Sequence, residues 1–165
     1  MANTCYTCFD GDNDIHYYRL MQAWHKNEKF DFTFDNAHDL KQARDTSLES
    51  TIKKSLTHRL KASNVLIVLI GNSTRYLYKF VRWEIELAIN LGIPIIAVNL
   101  NGKKQMDNDL CPPILKKELV MHIPFKVKIV NLALNKWPNQ HRSLKIENKK
   151  GPYYYNDTIY NQLGI

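Results

Sequence analysis

The feature that most constrains this chain is the run "NVLIVLI" at residues 64–70, closed at once by "GNST". A half-buried strand alternates apolar and polar residues, and a surface helix repeats its apolar residues every three or four positions. An unbroken short run of branched residues does neither. It fits a strand covered on both faces, which is the habit of a central strand in a parallel sheet. Such a strand requires helices on both sides, and the rest of the chain offers them.

Short apolar runs and helical patterns alternate from the start. "TCYTCF" (4–9) reads as a first strand, and "DIHYYRLMQAWHK" (14–26) as an amphipathic helix with Ile15, Tyr18, Met21 and Trp24 on one side. "FDFTF" (30–34) alternates as a strand. "DTSLESTIKKSLTHRL" (45–60) has Thr46 and Glu49 at capping-box spacing and repeats Leu48, Ile52, Leu56 and Leu60. A helix ending at Gly92 and a strand at 93–98 follow the central run, then a fifth strand at 119–123 and a helix near 126–136. The alternation predicts an α/β, flavodoxin-like, doubly wound parallel sheet of about five strands, ordered 2-1-3-4-5. Residues 1–165 are expected to form a single domain, with 138–165 as a less regular, tyrosine-rich extension packed on it. That extension either covers the sheet edge or rims a pocket.

Composition narrows the setting. The chain is 44% hydrophobic and 24% charged, has no membrane-length apolar run, and begins without a signal-peptide pattern, so a soluble cytoplasmic protein is expected. Cys5, Cys8 and Cys111 make no disulfide framework. The "CYTC" motif lies in a strand, where positions three apart face opposite ways, which argues against a redox pair or a metal site. The net charge of +7 permits an anionic partner. The lysines nevertheless fall in scattered pairs (Lys53-Lys54, Lys103-Lys104, Lys116-Lys117, Lys149-Lys150), which reads as a solvated surface without nucleic-acid or membrane binding.

Two acidic features compete for chemistry. The turn "CFDGDNDI" carries Asp10, Asp12 and Asp14. A phosphoacceptor site needs a further aspartate at the end of the third strand, and "VLIGNST" has none. Capping of the next helix suits Asp12 and Asp14, while Asp10 stays open because it directly follows the strand. In "YKFVRWEIELAINLG", helical spacing puts Phe80, Val81, Leu87, Ala88 and Leu91 within about 60° of Glu84. Glu86 falls on the opposite face, four residues from Arg82. Glu84 thus points inward. Either it meets a buried cation or water at the core's edge, or it lines a pocket beside the strand ends.

The stretch "VLIVLIGNSTRYLYKFVRWEIELAINLGIPIIAVNL", with "YTCF" and "FTFDNAHD", resembles TIR domains, and in particular bacterial TIR-like proteins of Thoeris-type antiphage systems. Their "VLIG…T…WVRYEI" signature is similar to "VLIGNSTRYLYKFVRWEI". The resemblance covers about residues 4–100 and makes Glu84, four residues after the aromatic Phe80, the catalytic position. Phe80-Val81 replaces the Trp-Cys of many relatives, and Cys8 stands where Ser is usual. Segment 35–45 falls where the family has its BB loop.

The resemblance implies cleavage of the nicotinamide–ribose bond of NAD+, which serves as substrate with no cofactor or metal. A cyclic ADP-ribose-type messenger would reach a separate effector protein, and the chain would self-associate into TIR assemblies. Phe9 and Trp83 are the candidate ring-stacking contacts, and Asp10, Asp35 and Arg75 the candidate polar ones. For each of them, and for His38 in the presumed loop, local structure is the plainer reading. Two alternatives remain: a non-catalytic TIR-type interaction module, and an enzyme similar to nucleoside deoxyribosyltransferases. NAD+ turnover compared with base transfer between deoxynucleosides separates them.

Overall fold

The apolar run forms β3 (Val65–Ile70), in which every residue is buried. It lies between β1 (Asn3–Cys8) and β4 (Ile95–Asn99). Beyond β1 comes β2 (Phe32–Asn36), and beyond β4 come β5 (Val120–Pro124) and the three-residue β6 (Pro152–Tyr154). All pairings are parallel, and the order is β2-β1-β3-β4-β5-β6. The flavodoxin-like order is therefore as expected, with a sixth strand added at the β5 edge. The computed structural model describes residues 3–28, 32–36 and 49–165. The side chains of β2, residues 37–48 (with His38 and Thr46) and the start of the 30–34 run lie outside the described residues.

Alternation along the strands sorts the core into two layers. Cys5, Val65, Ile67 and Leu69 pack with α1 (Ile15–Glu28) and α4 (Val127–Ile146). Tyr6, Cys8, Leu66, Val68 and Ile70 pack on the other face with α2 (Glu49–Lys61) and α3 (Val81–Leu91). Cys5 and Cys8 are both buried, in no disulfide among the described residues, and lie on opposite faces, as the strand reading of "CYTC" requires. Helix α2 buries Ile52, Leu56 and Leu60, the four-residue repeat seen in the sequence. Helix α3 stops at Gly92, whose φ of 72° is left-handed and caps the helix through its N–H to the Ala88 and Ile89 carbonyls.

Two expectations at the C-terminal end need correction. The helix near 126–136 runs on to Ile146, straight through Pro138. Proline in a helix interior costs about 3 kcal/mol, but Trp137 and His141 on either side are buried at 1% and 7% exposure. Burial of a tryptophan is of comparable size, and it holds the last turns in place. Residues 138–165 are also more regular than expected. They complete α4, add β6 and end in α5 (Asp157–Leu163), which Asn156 caps by accepting from the Ile159 N–H.

His122, in the middle of β5, is fully buried, and neither ring nitrogen has a hydrogen-bond partner among the described residues. Burial lowers its pKa to about 4. Its folded-state value lies below the ordinary 6.5, so the stability held by the neutral ring is complete above pH 6.5 and is lost as pH falls toward 4. Chemical denaturation should show a loss of about 3 kcal/mol from this group across that window, and His122→Leu should remove that share of the pH dependence. At pH 7, Leu56→Ala should destabilise by about 2–5 kcal/mol in the same measurement, because Leu56 is completely buried between α2 and the sheet.

Candidate functional site

Glu84 lies in the first turn of α3 and is completely buried, at 0% exposure. The helix follows β3, so this turn stands at the carboxyl edge of the sheet, where doubly wound folds bind their ligands. A helix's first turn also favours negative charge, through its unpaired N–H groups and its dipole. Phe80, Val81 and Ala88 beside it are buried, whereas Leu87 is half-buried and Leu91 is 40% exposed. Glu86 takes the solvent side, with its Oε1 3.5 Å from Nε of Arg82. Helical spacing therefore separates the two glutamates as expected.

The other candidates with described side chains come from separate places: Phe9 and Asp10 follow β1, Arg75 follows β3, and Trp83 stands beside Glu84 in α3. Phe9 belongs to the opposite layer, stacked on Tyr18 at 5.1 Å between ring centroids, and is 5% exposed. The sheet itself separates the two faces. Trp83 is half-buried against the α2–α3 layer, and Lys53 Nζ lies 5.3 Å from its ring centroid. Arg75 donates to the Asp109 carbonyl and, at 2.6 Å, to the Tyr76 hydroxyl, tying the turn after β3 to the loop after β4. It faces a cleft along Val81, Arg82 and Ile85, about 100° around α3 from Glu84. Asp35 pairs through its backbone with Tyr6, and its side chain lies outside the described residues.

The acidic turn is organised differently from the expectation. Asp10, left open by the sequence, is the anchor. It is 3% exposed, and Oδ1 accepts from the Asp12 and Asn13 N–H groups while Oδ2 accepts from Asn13 Nδ2 at 2.7 Å. Asp12 is exposed and makes no cap. Asp14 is buried at 8% exposure, and its Oδ2 has no hydrogen-bond partner among the described residues. Its carboxylate lies against Gly71 at the end of β3, where a Cβ would come within 2.3 Å of Oδ2. Burial, and then Asp10, push the Asp14 pKa up, with His16 opposing. The strand ends β1 and β3 thus hold a second buried carboxylate that sequence reading treated as a cap. The signal was Gly71, whose missing Cβ leaves room for that approach.

Cys8 stands where relatives of the resembled family usually have Ser. It is 1% exposed and lies on the Glu84 layer at the end of β1, with Cys8 opposite Val68. Among the described residues, no group of three or more His, Cys, Asp or Glu side chains is placed to hold a metal ion. No described helix is long and apolar enough to cross a membrane.

Comparison with known proteins adds one finding. No curated protein matches the chain. The family model described as Thoeris protein ThsB, TIR-like domain, matches residues 6–105, from β1 through β4 and into the loop beyond it. That span contains the buried β3, the turn with Gly71, and α3 with Glu84, and it covers more than half of the 165 residues. The chain therefore belongs to the Thoeris ThsB TIR-like domain family.

Proposed function

We propose that this chain is a TIR-type NAD+-cleaving enzyme of antiphage defence, with Glu84 as its catalytic carboxylate. The observation that carries the reading is a glutamate, fully buried in the first turn of α3, inside the span matched by the family model. The nicotinamide–ribose bond breaks with its electron pair leaving on nicotinamide. A cationic pyridinium becomes a neutral leaving group and needs no proton. Positive charge develops on the ribose as in glycoside cleavage. One carboxylate held in a water-poor site stabilises that charge, so no second acid at fixed spacing is required. Water or the adenine ring of the same molecule then captures the ribose carbon, giving ADP-ribose or its cyclic form. NAD+ is consumed as substrate, and the cyclic product acts as a messenger to a separate effector.

Complete burial of Glu84 also bears on regulation. NAD+ reaches the carboxylate only when covering side chains move, which links activity to assembly or to an infection trigger. The same burial favours the competing reading, an interaction module in which Glu84 is structural. Mass spectrometry of cells expressing the chain, with and without phage challenge, separates the two. Wild type and Glu86→Gln should accumulate nicotinamide and a cyclic ADP-ribose-type product, and Glu84→Gln should lower it by at least ~100-fold. A product signal that persists in Glu84→Gln contradicts the assigned role.

A further inference from the structure

The edge of the sheet opposite Glu84 carries a different chemistry. A cavity of about 230 Å³ opens there, between the C-terminus of α3, the start of β4 and the last turns of α4. Its floor is apolar, made by Ile89, Ile93, Ile95 and Leu119. Its rim carries the ammonium groups of Lys145, Lys149 and Lys150 and the imidazole of His141, set against the single Glu118. His141, Lys145 and Lys149 recur at intervals of four along and just past α4. Asn148, at a left-handed φ of 58°, turns the chain so that the Lys149-Lys150 pair returns to the same opening.

None of these three lysines has an acidic partner within ion-pair distance among the described residues. Lys145 is held against Gly92, where its ammonium lies 2.6 Å from the position of a Cβ, and it complements the negative end of the α3 dipole. Lys149 and Lys150 have no such local role. His141 is 7% exposed, contacts the Trp137 ring edge-on, and has no hydrogen bond to another described residue. A buried imidazole facing a cavity under unpaired ammonium groups is a ready donor to an anion.

We propose that this cavity binds a small aryl phosphomonoester, with the phosphate on Lys149, Lys150 and His141 and the ring on the isoleucine floor. Lysine ammonium groups act as point charges toward phosphate, and three around one opening suit a dianion better than a carboxylate. The volume decides the size. Pockets for drug-sized molecules run from about 300 to 1,000 Å³, so this one holds a single ring with its phosphate and excludes a dinucleotide. The site is therefore separate from any NAD+ site at Glu84, and the proposal does not depend on that reading.

Titration calorimetry of the full chain with phenyl phosphate tests it, with inorganic phosphate, benzoate and phosphatidic acid vesicles as comparison arms. Phenyl phosphate should bind with Kd below ~1 mM and at least several-fold more tightly than phosphate or benzoate. Lys149→Glu/Lys150→Glu should weaken it by at least ~10-fold, while Lys116→Glu/Lys117→Glu, with the same change in net charge, should not. Lys149→Ala/Lys150→Ala should weaken it in the same direction, with an unchanged melting temperature. Glu84→Gln should leave binding intact. Equal weakening by both charge reversals, equal affinity for benzoate, binding to vesicles alone, or no binding would each overturn the proposal.

Discussion

Burial of β3 on both faces is the constraint on which the rest depends. A strand with no polar residue between Val65 and Ile70 has no side to turn to water. It takes the centre of the sheet, and its neighbours must be parallel so that crossover helices cover both faces. That arrangement sends the chain out of β1 and β3 at the same edge. Asp10, Asp14 and Gly71, with Asp14 against Gly71, and the first turn of α3 all lie at that edge as a consequence of topology. A carboxylate at that turn gains from the helix dipole and loses its hydration, being at 0% exposure. A glutamate buried at the ligand-binding edge of the sheet is a natural place to look for chemistry.

The two edges of the sheet divide the molecule's electrostatics. At the carboxyl edge, buried carboxylates sit near helix starts. At the amino edge, where α3 ends, the tail brings in lysines and a buried histidine around an apolar hollow. The span matched by the family model ends at residue 105, so β5, α4, β6 and α5 lie beyond it. Those elements extend the sheet and build the basic rim. The part shared with the family holds Glu84, and the part beyond it supplies most of the second cavity.

Legibility followed the physics of each feature. Strand and helix periods were readable wherever one side of an element is apolar, as in α2 and α3. The inward Glu84 and outward Glu86 followed from angle alone. The layer that Phe9 joins was not legible, because an aromatic at a strand end looks the same whether it turns toward one layer or the other. Counting in twos from Val65 through the β1–β3 register assigns it to the α1 layer, but that register is a tertiary fact. Asp10 and Asp14 were hard to tell apart for a similar reason. Three aspartates in one turn are equivalent in sequence, and only the backbone path decides which accepts N–H groups and which is pressed against Gly71. The last helix runs past 136 through Pro138, where burial of Trp137 and His141 outweighs the local penalty.

By itself, then, the sequence determined the parallel sheet, its strand order from β1 to β5, and the inward direction of Glu84. These depend on periodicity and on the both-sided burial of one strand, which are local properties. Tertiary structure alone decided which layer each strand-end residue joins, that Asp14 reaches Gly71, and that Lys149 and Lys150 close over the same hollow as His141. These depend on distances between segments far apart in the chain. No residue pattern encodes such distances until the sheet register and the helix docking are fixed.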